Sequence, residues 1–260
     1  LGLNSPPSPF VRRTCRIIIM NRHGYGLASP SRSDMEFDIS HRPSYAQLEL
    51  SLDAGESVRA EAGAMVSHSG GIDVETNAEG GILKSLSRSF LGGESFFMNT
   101  FSATAPSTLN LAPALSGDIE HKDLNDETLY VQSTSFIASD PSIDVDTKFG
   151  GGKTFFGGEG LFLLKMTGTG PAFISSYGAI DEVTVEPGDP VVVDTGHIVA
   201  FEESLDFEVS RVGGLKSTLF SGEGLVCEFS GEGTLWTQTR SPEAFLSWLI
   251  PQLPSSNNSQ

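Results

Sequence analysis

Three glutamates sit in nearly the same glycine turn. Leu91–Phe97 reads LGGESFF, Phe156–Phe162 reads FGGEGLF and Phe220–Val226 reads FSGEGLV, so Glu94, Glu159 and Glu223 recur 65 and then 64 residues apart. Three carboxylates brought to one axis could hold a hard cation through oxygen ligands. They would also raise one another's pKa by mutual repulsion. Glu94, Glu159 and Glu223 are therefore the weak metal candidates of this chain. The competing reading is structural. Gly93, Gly158 and Gly222 supply the backbone freedom a tight turn needs, and the glutamate points outward or accepts turn amide hydrogen bonds. Repetition favours the turn, because a fold-specifying turn must recur in every copy whereas a catalytic residue need occur only once.

Other chemistries find less support. A phosphate cradle sets glycine amides at a helix N-terminus with a lysine or hydroxyl nearby. Phe149–Lys153, FGGGK, lacks the Walker spacing and no helix follows. The histidines are His23, His41, His68, His121 and His197, and no pair has the one-residue separation a cupin-type metal site uses. Serines abound, but the GxSxG elbow of a hydrolase does not occur. No catalytic residue, cofactor or cofactor-binding residue is expected.

The elements that carry these residues are strands. Apolar alternation of 4–8 residues, bounded by Gly, Pro, Asp and Ser, runs through TLYVQSTSFIA, EVTVEPGDPVVVD and LDFEVSRV. Ala54–Gly55 and Pro187–Gly188 mark turns before strands. A second repeated block precedes each glutamate turn: AMVSHSGGID at 64–73, SFIASDPSID at 135–144 and HIVAFEESLD at 197–206. Two blocks recurring in one order predict a threefold internal repeat that buries a common core. The expected repeats are 36–125, 126–186 and 187–240, within a single all-β domain over 35–254. The first copy carries an extra stretch, Ile82–Phe90, with some helical spacing; a partner contact or a longer surface loop would explain it. Lys84, Arg88 and Lys122 could make a local basic spot there. One helix is expected, at about 242–250, with Ser241 as N-cap, Pro242 first, Glu243 supporting the first turn, and Phe245, Trp248 and Leu249 on one face.

Charge narrows the partners. The chain has 33 acidic and 16 basic residues, a net charge of −17. Residues 1–34 hold five arginines and one acid, which leaves 32 acids against 11 bases in the rest. Such a surface repels nucleic acid and anionic lipid. With only six lysines it has the composition of a cytoplasmic protein from a salt-adapted prokaryote, with an ordinary acidic cytosolic protein as the alternative. No apolar run approaches the roughly 20 residues that span a bilayer. Two cysteines, Cys15 and Cys227, without CxxC spacing fit a reducing compartment. Residues 1–34, rich in Pro, Ser and Arg, are expected to be a disordered extension, read either as upstream sequence, a transit-type segment or a basic arm. Residues 255–260 are an expected disordered tail.

AEAGAMVSHSGGIDVET, the thrice-used GGE/SGE turn and the closing TQTRSPEAFLSWLIPQLP together resemble the altered-inheritance-of-mitochondria family, a conserved domain of unknown function in bacteria, archaea and mitochondria. The resemblance covers about 36–254. It implies the fold of the tryptophan RNA-binding attenuator protein (TRAP-like) repeated three times, as a double-stranded β-helix or β-sandwich body. It brings no catalytic residues. Its mitochondrial member is linked to inner-membrane organisation, which would make the location mitochondrial in a eukaryote. RNA binding by fold analogy is opposed by the acidic surface. The expected function is a non-enzymatic scaffold acting through protein partners or self-association. The rival is a small-ligand or metal-binding, cupin-like protein.

Overall fold

The computed structural model describes residues 35–77, 96–146, 162–211 and 225–254. They form seventeen strands and one α-helix. The first unit holds β1 (Glu36–Ser40), β2 (Gln47–Leu52), β3 (Ser57–Glu61), β4 (Met65–His68), β5 (Ile72–Asn77), β6 (Met98–Ala103) and β7 (Ser107–Leu111). The second holds β8 (Ile119–Gln132), β9 (Phe136–Ser139), β10 (Asp144–Asp146) and β11 (Leu163–Ser175). The third holds β12 (Ile180–Val185), β13 (Val191–Asp194), β14 (Ile198–Glu202), β15 (Leu205–Arg211), β16 (Leu225–Gly231) and β17 (Gly233–Gln238). Helix α1 (Pro242–Leu249) closes the described chain, with a 3-10 turn over Ile250–Gln252.

The alternation in the sequence becomes the two faces of each strand. In β2, QLELSL, Leu48, Leu50 and Leu52 point inward and are at most 2% exposed, while Gln47, Glu49 and Ser51 face the other way. Burying each such leucine stabilises the fold by about 1.5–3 kcal/mol. The turn that follows is set by Gly55 at φ 93°, a conformation side chains rarely adopt, and is closed by Glu56 Oε2 accepting from Asp53 N at 2.7 Å.

Each outer unit presents two groups of antiparallel strands. In the first they are the four-stranded sheet β1–β2–β7–β4 and the group β3–β6–β5, which belongs to a ten-stranded sheet shared by the three units. In the third they are β12–β17–β14 and β13–β16–β15. In the second unit the chain economises on turns. β8 and β11 pair over their whole length, from Leu163↔Gln132 to Ser175↔Ile119, with β9 beside one end and β10 beside the other. A bulge between Gly168 and Thr169 shifts the register midway. There Asp126 takes φ 59° and its amide donates to Thr169 Oγ1 at 3.0 Å.

Two seams join the units. β3 pairs with β9 (Arg59↔Ser139, Ala60↔Ala138), and β8 pairs with β14 (Tyr130↔Phe201, Val131↔Ala200). The cores follow the seams. The cluster built on Leu48, Leu50, Val58 and Phe101 takes in Ile137, Ala138 and Phe173 of the second unit. The cluster on Val131, Leu164 and Met166 takes in Val199, Ala200 and Trp236 of the third. By strand pairing, β8 starts at Ile119, ahead of 126, and pairs with β11 along its length, while β12, ahead of 187, pairs with β17.

Helix α1 is capped as its sequence predicts: Ser241 Oγ accepts from Ala244 N at 3.4 Å and Pro242 opens the helix. It buries none of its residues, and no helix among the described residues is long and apolar enough to cross a membrane.

Candidate functional site

The sequence candidates fall where the description stops. Gly93, Glu94, Gly158, Glu159, Gly222 and Glu223 all lie outside the described residues, as do Ile82–Phe90 with Lys84 and Arg88. Their flanks are described and are equivalent: β5 pairs β6, β10 pairs β11 and β15 pairs β16, each antiparallel. In each repeat the glutamate motif therefore falls in the connection of the same hairpin.

The described histidines are scattered. Nδ1 of His68 donates to Ser69 O at 2.7 Å, and Nδ1 of His197 donates to Gln238 O at 2.7 Å. His121 packs against the rings of Phe37 and Phe173, which also touch each other, with Nε2 at 3.0 Å from Asp123 Oδ1. Among the described residues, no three His, Cys, Asp or Glu side chains are grouped to hold a metal ion.

Lys122 is engaged by acids and a ring. Its Nζ is 3.1 Å from Glu120 Oε1 and 3.5 Å from Glu182 Oε2, and it stands 4.1 Å above the Trp236 ring. It lines a groove of about 660 Å³ between β8, β12, β14 and β17. Leu124, Leu129 and Trp236 form the apolar part. The polar part is acidic, with Asp123, Asp126, Glu127, Glu182, Glu202 and Glu203 at its walls. Several of these carboxylates are held. Trp236 Nε1 donates to Glu182 Oε2 at 3.2 Å, and Thr234 N donates to Glu202 Oε2 at 2.8 Å. Glu203 receives Lys165 Nζ at 3.1 Å and the Tyr130 hydroxyl at 3.4 Å, and the lysine hydrogen bond, foremost, holds its carboxyl below the usual range. Such a groove attracts cations, and Lys122 over Trp236 shows how an ammonium group sits there. Sequence reasoning missed it because its walls come from four strands spread over residues 122–236; the only local hints were the acid pairs in LNDE and FEE.

A second polar anchor ties a loop down. Arg42 donates through Nε to Asp118 Oδ1 at 2.7 Å and through Nη2 to Asp118 Oδ2 at 3.0 Å. Asp118 is buried and also accepts from Ile119 N, so this fork is structural.

With the three-unit body and its equivalent hairpins in view, comparison with known proteins places the chain. The family model described as "AIM24: Mitochondrial biogenesis AIM24" matches residues 37–240. The chain belongs to the AIM24 family. It is similar to an uncharacterized protein of Streptococcus pyogenes serotype M6, with 29% identity over 232 residues, covering 86% of this chain and 93% of that relative. It is also similar to a Streptococcus pyogenes protein solved by X-ray crystallography, at 28% identity and a TM-score of 0.72, covering 84% of this chain and 100% of that one. The AIM24 match thus spans all three units and ends before helix α1.

Proposed function

We propose that this AIM24-family chain is a non-enzymatic scaffold that works by binding protein partners and itself. The observation that carries the reading is the end of the chain. Phe245, Leu246 and Trp248 on a helix that buries none of its residues, and Ile250 and Leu253 just after it, are all exposed, Trp248 at 63%. A run of large apolar side chains presented this way suits a partner's groove, with Trp248 as an anchor. The acidic body favours partners that are apolar or basic and disfavours nucleic acid. The setting proposed is the cytoplasm of a salt-adapted prokaryote, or mitochondria in a eukaryote. Affinity capture from native cells should recover a defined partner with the wild-type chain and at least ten-fold less of it with the Leu246→Ser/Trp248→Ser double variant. Equal recovery with both would remove the helix from the reading.

The acidic groove favours a second reading, a small cationic ligand seated against Leu124, Leu129 and Trp236. Spermidine titrated calorimetrically into the protein at low salt tests it. Saturable binding weakened by Glu182→Gln supports it, and heats of dilution alone dismiss it.

A further inference from the structure

The two seams use the same pair of strand positions. In each, a strand leading into a three-residue connection (β3, or the second half of β8) pairs with the strand that follows that connection in the next unit (β9, or β14). The third unit has its own strand of the first kind, β13, and the first unit has its own strand of the second kind, β4. Among the described residues β13 pairs only with β16, and β4 only with β7.

The equivalence is tight. Each of β4, β9 and β14 carries the same one-residue bulge against its in-unit neighbour, at Val66, Ile137 and Val199. Yet their surroundings differ. Ile137 and Val199 are fully buried, whereas Val66 is 55% exposed and Met65 43%. On the other side, Ala60 and Val131 are fully buried, whereas their equivalent Val193 is only half-buried, and Val192, equivalent to the half-buried Arg59 and Tyr130, is 58% exposed. The chain therefore ends in two apolar strand edges, each of a kind already covered twice within the molecule. An exposed β edge is a template for another strand. Neither β4 nor β13 contains the lysine or proline that blunts such edges.

We propose that β13 of one copy pairs with β4 of a second copy, repeating between molecules the seam that β3–β9 and β8–β14 make within one. Superposing the internal registers sets Val193 opposite Ser67 and Val192 opposite His68. The contact is heterologous, with different surfaces meeting, so every copy keeps one free edge until the assembly closes into a ring or grows as a filament. This deepens the scaffold reading and rests on it, since it supplies the self-association that reading includes.

Cysteine pairing tests the register and the occupant together. Ser67→Cys and Val193→Cys would be placed singly in separate chains, both in a Cys15→Ser background, mixed and oxidised. The expected result is a reducible dimer of about twice the chain mass from the mixture, in at least five-fold excess over either variant alone. Placing both cysteines in one chain should then give a ladder of multimers. An intramolecular disulfide in monomers, with no ladder, would mean that the seam closes within one chain and would overturn the proposal; so would no crosslink from either arrangement. Sedimentation of Val192→Pro keeps the question answerable without cysteine chemistry: loss of one amide on the free edge should weaken assembly at least ten-fold, and an unchanged wild-type monomer across micromolar to hundred-micromolar concentration would also overturn it. A monomeric chain that still captures its partner through helix α1 would sink this proposal and leave the scaffold reading standing.

Discussion

Glu61 sits in an environment that disfavours its charge. Burial at the end of β3 pushes its carboxyl from 4.5 to about 7. Because the folded state holds the proton more tightly, the stability this group contributes is complete below about pH 4.5 and is lost as pH rises to about 7. The second unit shows the remedy. Gln132 stands at the equivalent position, directly before its three-residue connection. Glu61→Gln should therefore raise stability at pH 8 by about 1–3 kcal/mol and change it little at pH 4, a difference that urea unfolding at the two pH values measures. Cys227 makes a parallel case. It is fully buried in the third core, and burial pushes its thiol up to about 12. Iodoacetamide at pH 8 should leave it unmodified in the native protein and alkylate it within minutes in guanidinium, as mass spectrometry would record.

Among the elements, strand β11 shows how a local rule serves the architecture. Gly168 has φ 145°, and a Cβ there would lie 2.8 Å from the Ser142 carbonyl oxygen. Gly168→Ala should cost about 1–3 kcal/mol, read as a lowered midpoint in thermal unfolding, because it adds both backbone strain and a clash. The strands themselves were legible in the sequence, since period-two alternation is imposed by burying one face, and Leu48, Leu50 and Leu52 announce it. So was the helix, through Ser241 and Pro242. The continuity of β8 was not: LND at 124–126 has turn composition, but here it is a bulge in a strand that continues. The seams left no local trace, because Ala60 and Ala138 lie 78 residues apart and nothing in either segment names the other. The acidic groove was hidden for the same reason, being assembled only when four strands lie side by side.

The whole molecule is governed by its charge. With a net charge of −17, the surface repels itself over a screening length of about 10 Å at 0.1 M salt and about 3 Å at 1 M. Raising sodium chloride from about 0.05 to 1 M should lift the melting temperature by several degrees, and a flat response would show that the acids are already compensated locally. Screening should also favour assembly through β4 and β13, since two acidic bodies must approach. The long ladder of β8 and β11 has a different consequence. The outer units meet the middle one through a few backbone pairs each, whereas these two strands share thirteen. Fluctuations that expose backbone amides to solvent can therefore open an outer unit while the centre stays shut. The last protons to exchange with deuterated water should be those between Ile119–Gln132 and Leu163–Ser175, which makes the middle repeat the part of the molecule that remembers its fold longest.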